Sequence, residues 1–291
     1  MSDAQAVKLL FIVNPGSGSN TTDWKLLIEN YFRDKPQVAG VLQLDNPCLP
    51  QLVNDKIAAF KPDRVFAVGG DGTVKLVATC LINTNIPLGI IPAGSANGMA
   101  KELGIPDDTN KALEIGVNGH VKNIHLVKIN DELCIHLGDI GFNAFVVKKF
   151  ETGKGRGKWG YLKATWKVLW QQTKMLVEIK VDGNYVKRSA SMVVIANATK
   201  YGSGALINPD GKLDDDVFEV IVIKKISIAE IYKMMVTHLS YDPLKTEVYQ
   251  TKSLQIKSKR KAHFQVDGEY LGKVNDISAT ILPASLQMIF A

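Results

Sequence analysis

Three apolar runs in the first hundred residues each end in a glycine-bearing turn, and this repeated pattern constrains the fold more than any other feature. Residues 7–13 lead into Asn14-Pro15-Gly16-Ser17-Gly18, residues 64–68 into Gly69-Gly70-Asp71-Gly72-Thr73, and residues 87–91 into Pro92-Ala93-Gly94-Ser95-Ala96-Asn97-Gly98. Continuous apolar runs of this length suit strands buried on both faces of a parallel sheet. Residues 40–44 read as a further strand. Helical spacing occupies 24–32, 49–60, 76–82 and 95–103, so strand and helix alternate as in βαβ units. Ligands of open α/β sheets bind beyond the carboxyl ends of the strands. The glycine turns are therefore expected to open onto one crevice.

After about residue 120 the rhythm changes. Residues 121–128, 132–137, 175–181, 190–196, 217–223, 254–257, 263–266 and 278–282 have the β-branched or alternating character of strands, with turn signals such as Asp182-Gly183 and Asp267-Gly268 between them. That pattern predicts an antiparallel sandwich or barrel. Helices are predicted at 160–174 and 227–239. The expected fold is thus a three-layer α/β domain with a parallel sheet over residues 1–122, followed by a mainly antiparallel β-sandwich over 123–291. The last residues are expected to pack back on the first domain.

The turns suggest chemistry. Glycines allow sharp bends and close approach of a phosphate to main-chain N–H groups, and a helix N-terminus supplies unpaired donors and a partial positive charge. Asp71 stands where it could hold Mg²⁺ or a hydroxyl, or simply cap a helix. Ser95 and Asn97 could bond phosphate or ribose, although serine at such a place is also a common cap. Neither a GxGxxG dinucleotide fingerprint nor a Walker GK[ST] is present.

Taken in order and with their spacing, NPGSG, GGDGT and PAGSANG resemble the diacylglycerol kinase catalytic domain family, which includes bacterial soluble lipid kinases and the sphingosine and ceramide kinases. Later segments extend the resemblance to the C-terminus: Gly138-Asp139-Ile140-Gly141-Phe142-Asn143-Ala144, Lys154-Gly155-Arg156-Gly157, Asn197 with Tyr201-Gly202-Ser203-Gly204, Asn208-Pro209-Asp210 and Val266-Asp267-Gly268-Glu269. The resemblance implies transfer of phosphate from ATP to a lipid hydroxyl, with ATP against the glycine turns and the acceptor in the cleft between the domains. It implies that Asp267 is the base for the acceptor, that Glu269 lies beside the reacting phosphate, and that Asp214, Asp215, Asp216 and Val217 form a mainly structural Mg²⁺ site. From the residues alone, Asp267-Gly268 is a type I′ hairpin turn and the acidic run a solvated loop. Several positions depart from the family pattern: Lys75 and Leu76 replace Asn-Glu, Gly98 and Asn143 replace aspartates, and Asp216 and Glu219 replace glycine and aspartate. These departures are compatible with altered acceptor choice or with weakened transfer.

Composition narrows the partners. A formal net charge of +6 favours anionic ligands. The three cysteines, Cys48, Cys80 and Cys134, form no CxxC pair, and the five histidines show no metal spacing, so a reducing cytoplasm is expected and zinc is not. No apolar stretch reaches the roughly 20 residues of a membrane span, which restricts membrane contact to the periphery. Trp166, Leu169 and Trp170 with Lys163 and Lys167 give residues 160–174 either a core-facing stripe or a basic interfacial face. The expected partners are a lipid acceptor, a membrane surface and a second copy of the chain, without nucleic acid. The rival readings are an NAD kinase-like enzyme and a relative that binds lipid or nucleotide without turnover.

Overall fold

The structure is a computed structural model that describes residues 6–17, 22–45, 49–142, 144, 174–181, 183–201, 205–225 and 242–291. It falls into two compact units, residues 1–124 with 284–291, and residues 125–283. The expected features at Gly18, Asn143, 154–157, 160–173, Asp182, 202–204 and 227–239 lie outside the described residues.

The first unit is built from β1 (Lys8–Val13), α1 (Trp24–Phe32), β2 (Val38–Gln43), α2 (Pro50–Phe60), β3 (Arg64–Gly69), α3 (Asp71–Leu81), β4 (Leu88–Pro92), α4 (Gly98–Glu102) and α5 (Thr109–Asn118). The strands pair in parallel in the order β2-β1-β3-β4. Met288, near the chain end, adds a parallel partner to Leu88. Burial explains the continuous apolar runs: Leu9 to Ile12, Val65 to Val68 and Leu88 are essentially inaccessible. Phe11 stacks on Phe66 with centroids 4.6 Å apart, and Phe32 of α1 meets Phe11 at 5.6 Å. Gly116 of α5 sits so close to Phe66 that a Cβ there would lie 2.3 Å from the ring. The strand order reverses direction between β1 and β3, which places a topological switch point at their carboxyl ends.

Two helical expectations change. The helix expected over 95–103 is only α4, because Asn97 takes a left-handed conformation with φ 50° and delays the start. α5 is not among the expected helices; its signal is Asp108, whose side chain accepts from Lys111 N as an N-cap.

The strand β5 (His120–Ile129) belongs to the first unit through residue 124 and to the second from His125 onward. The second unit continues with β6 (Glu132–Cys134), β7 (Leu137–Gly141), β8 (Met175–Val181), β9 (Asn184–Ala190), β10 (Met192–Ala196), β11 (Lys200–Tyr201), β12 (Ala205–Leu206), β13 (Phe218–Ile223), β14 (Thr246–Thr251), β15 (Ser253–Val266) and most of β16 (Glu269–Phe290). β14-β13-β10-β7-β15-β16 are neighbours in that order, β8 and β9 extend from β15, and β6 pairs with β5. The registered pairs of β7, β8, β9, β10, β13, β14 and β15 are antiparallel.

β15 reads as two strands in the sequence because its register shifts between Lys257 and Ala262 and again between His263 and Gln265. Its first half pairs with β8 and its last residues with β7. The strands β9 and β14 are not among the expected ones, since their sequences carry Tyr185, Lys187, Glu247 and Tyr249 rather than an apolar run. Val177, Ile179, Val193, Val220, Ile256 and Phe264 form part of the core, and Val194, Ile221 and Met192 part of a second cluster. Among the described residues no helix is long and apolar enough to cross a membrane.

Candidate active site

In the first unit, the three glycine turns meet at the carboxyl ends of β1, β3 and β4. Asn14 Oδ1 accepts from Gly16 N at 3.0 Å, and Asn14 Nδ2 donates to Thr73 Oγ1 at 3.2 Å. Ser17 Oγ lies 3.4 Å from the same Thr73 hydroxyl. Ala93 N donates to Gly69 O at 2.9 Å. A Cβ on Gly70 would lie 3.2 Å from Gly94 Cα, and one on Gly94 only 2.4 Å from Gly70 Cα, so the second and third turns touch through bare backbone. Asn97 Oδ1 accepts from Gly94 N at 2.9 Å, while Asn97 Nδ2 donates to Asp107 Oδ1 at 3.3 Å. Ser95 is exposed, and Pro15 and Gly16 are exposed on the first turn.

α3 begins at this junction. Its N-cap is Gly70, which has no side chain to cap it. The helix therefore presents its first N–H groups and positive dipole end beside Gly72, where a Cβ would have no described residue within 4 Å. Such an end suits a phosphate. The Asp71 carboxylate turns toward the neighbouring helix. Its Oδ2 accepts from Gly98 N at 3.1 Å and its Oδ1 from Met99 N at 3.0 Å. It thus caps α4 from the adjacent turn, which fastens GGDGT to PAGSANG.

In the second unit, Asp267 and Gly268 have φ of 51° and 86°, as a type I′ turn requires, and Val266 pairs with Glu269 across it. The Asp267 carboxylate faces a bend in the chain. Oδ1 accepts from His136 N at 3.0 Å and Leu137 N at 3.1 Å, with Cys134 Sγ at 3.7 Å; Oδ2 accepts from Ile135 N at 3.1 Å. Asp267 N donates to Leu137 O at 2.8 Å. The half-buried side chain is therefore an anchor for residues 134–137 as well as a candidate base, while Glu269 is exposed. Sequence reasoning missed the partners of this turn, Gln265 and the 135–137 amides. Asp139 stands in a motif quoted above, but nothing in that motif points to its contact with Gln265.

The acidic turn is the expected Mg²⁺ site. Among the described residues no group of three or more His, Cys, Asp or Glu side chains is placed to hold a metal ion. Asp214 is exposed and Val217 half-buried. Asp216 pairs with Lys252 at 3.2 Å, and Asp215 Oδ1 is buried with no hydrogen-bond partner among the described residues. Glu219 instead forms a buried polar knot: Asn208 Nδ2 donates to its Oε2 at 2.6 Å and Gln250 Nε2 to its Oε1 at 3.1 Å. Burial pushes the Glu219 carboxyl up, against these two hydrogen bonds, and the nearby Asp215 charge adds to the rise.

Comparison with known proteins agrees with this architecture. Residues 8–129 match the family model described as Diacylglycerol kinase catalytic domain, and residues 139–290 match YegS C-terminal NAD kinase beta sandwich-like domain. The chain is 31% identical over 239 residues to "Uncharacterized protein sll0036" of Synechocystis, covering 78% of this chain and 54% of that protein. It therefore spans about half the length of that relative. It is 29% identical over 221 residues to a diacylglycerol kinase of Staphylococcus aureus, covering 73% of this chain and 70% of the other. The "Crystal structure of a putative diacylglycerol kinase from Bacillus anthracis str. Sterne" superposes with a TM-score of 0.81 at 21% identity, over 98% of this chain and 97% of that one. Another diacylglycerol kinase structure from the same organism gives 0.77 at 20% identity, over 99% and 98%. At that identity the likeness establishes the fold. With both family models matched in sequence, the chain belongs to the diacylglycerol kinase catalytic domain family and carries its C-terminal β-sandwich domain.

Proposed function

We propose that this chain is a kinase that transfers the terminal phosphate of ATP to a hydroxyl group of a lipid or lipid-like acceptor. The observation that carries the reading is the junction of three glycine turns at the switch point of a parallel sheet, with the start of α3 in its midst. In this reading Asn14, Pro15, Gly16, Ser17, Gly69, Gly70, Gly72, Thr73, Gly94, Ser95 and Asn97 surround the nucleotide, with main-chain N–H groups and hydroxyls toward its phosphates. Asp71 keeps two of the turns in register. Mg²⁺ accompanies the phosphates and neutralises their charge; the acidic turn at 214–216 is given no part in the step. Phosphoryl transfer depends chiefly on positioning and charge neutralisation, so a carboxylate that orients the acceptor hydroxyl and takes its proton late suffices. Asp267 is assigned that role, with exposed Glu269 beside it.

A second reading has its own support. The three amides and one thiol gathered on Asp267 favour a structural part for that carboxylate, as in a relative that binds nucleotide without turnover. One experiment separates the readings. The chain is incubated with γ-labelled ATP, Mg²⁺ and a panel of lipid extracts, with NAD as a parallel acceptor, and products are identified by mass spectrometry. Labelled lipid is the expected result. Label in NAD alone would make it an NAD kinase-like enzyme, and calorimetric ATP binding with no labelled product would favour the second reading.

A further inference from the structure

Asp139 of β7 and Gln265 of β15 stand directly opposite each other in an antiparallel pair, and both side chains are fully buried. Opposed residues of two strands lie close enough for their side chains to interact directly. Gln265 Nε2 donates to Asp139 Oδ2. The other end of the same carboxamide, Oε1, accepts from Gly268 N at 2.7 Å. Asp139 Oδ1 accepts from Ala144 N at 2.8 Å. A chain of hydrogen bonds thus runs from Ala144 through Asp139 and Gln265 to the main chain of the residue after Asp267.

A polar pair at this place is not what a sandwich core requires. Phe264, Val266 and Ile140 are buried hydrophobic neighbours of the pair, and apolar side chains would avoid the cost of removing a carboxylate from water. What the pair contributes is direction. A carboxamide whose donor is fixed by a carboxylate has only one way to present its oxygen, and that oxygen holds Gly268 N. Asp267 occupies a left-handed conformation in the same turn.

We propose that Asp139 and Gln265 are positioning residues that fix the Asp267-Gly268 turn for phosphoryl transfer. The inference rests on the kinase reading and on the role it gives Asp267. Misplacement of a reacting group by about 1 Å can cost about 10²-fold in rate, so loss of this hold should act on turnover more than on nucleotide affinity.

The polarity of the chain supplies a test. In Gln265→Glu two carboxylates face each other. Asp139→Asn leaves one side-chain oxygen for two donors, Ala144 N and Gln265 Nε2, so one of them loses its acceptor. The double variant Asp139→Asn/Gln265→Glu restores these three bonds with the central one reversed. The amide at position 139 then donates to the carboxylate at position 265, while an acceptor is kept for both Ala144 N and Gly268 N. The expected result is a kcat at least about tenfold lower in each single variant, with ATP Kd unchanged, faster hydrogen exchange at the Gly268 amide, and recovery of both readouts in the double variant. The double variant remains informative if a single variant does not fold. A folded Gln265→Glu protein with wild-type kcat and Gly268 exchange overturns the proposal, as does a double variant no better than the poorer single one. Asp267→Asn is measured alongside: wild-type turnover there removes the role of Asp267, whereas the Gly268 exchange still reports separately on the hydrogen-bond chain.

Discussion

Gly94→Ala tests the junction of turns most directly. The added methyl would lie 2.4 Å from Gly70 Cα, 2.9 Å from Asn97 Oδ1 and 3.1 Å from Gly70 N. Carbon atoms in good contact stand about 3.5–4.0 Å apart, so the two turns must part by about 1 Å. Two of the three close atoms are backbone, which cannot swing aside as a flexible side chain could. Overpacking of this kind costs about 1–3 kcal/mol. For a unit of this size that corresponds to a melting shift of roughly 3–12 °C. Separating the turns also displaces the start of α3, so ATP affinity should fall at least tenfold, about 1.4 kcal/mol. Gly72→Ala is the companion, because its methyl meets no described residue within 4 Å. It should leave melting unchanged or slightly raised, since alanine is the better helix residue, while a phosphate over α3 would feel the methyl. Calorimetric ATP titration and thermal melting are measured for both. A folded Gly94→Ala protein with wild-type melting and wild-type ATP affinity would refute the argument that close contact of these turns builds the nucleotide site.

Other outcomes follow from single contacts. Asp71→Asn puts an amide group against the N–H groups of Gly98 and Met99 and should cost about 1–2 kcal/mol, as loss of a helix cap does; a urea midpoint equal to wild type would contradict the capping role. Burial opposes ionisation of Glu247, but hydrogen bonds from Lys224, Tyr249 and Arg188 outweigh it and hold the carboxyl at about 2, against an ordinary 4.5. Its contribution to stability should therefore be present above pH 4.5 and fade as pH falls toward 2, and Glu247→Gln should flatten that part of a pH-melting curve. Asp267→Asn should lower turnover by about 10²–10⁴ while ATP affinity stays constant; near-wild-type turnover would place the proton acceptor elsewhere.

Most of the parallel sheet was legible because β1, β3 and β4 are buried on both faces and therefore carry continuous apolar runs, and because each of these runs stops at a turn the backbone must make with glycine or proline; β2 is a part-exposed edge strand. What was less legible follows from the same cause. β9 and β14 hold one exposed face, so their polar residues hide the strand signal. β15 changes register in mid-course, and its two pairings read as two separate strands. α5 lies in a segment whose cap was visible but whose apolar residues are few. Local patterns report local burial, and they weaken wherever an element is half exposed or shared between partners.

The same limit governs the candidate site. The glycines of the second and third turns follow from close backbone contact, and that requirement is written into short glycine motifs. The roles of Asp71 and Asp267 are not, because a carboxylate in a turn has the same sequence signature whether it caps a helix, anchors a bend or accepts a proton. The structure separates these possibilities by distance: Asp71 reaches the first amides of α4, and Asp267 the amides of residues 135–137. Anchoring and acceptor orientation need not exclude each other at Asp267. A carboxylate held by fixed donors loses little freedom when an acceptor hydroxyl arrives, and preorganisation of that kind is what phosphoryl transfer draws on. The fold-stabilising bonds of Asp267 and its proposed role in transfer are therefore parts of one arrangement, which is why Asp267→Asn must be judged by turnover and melting together.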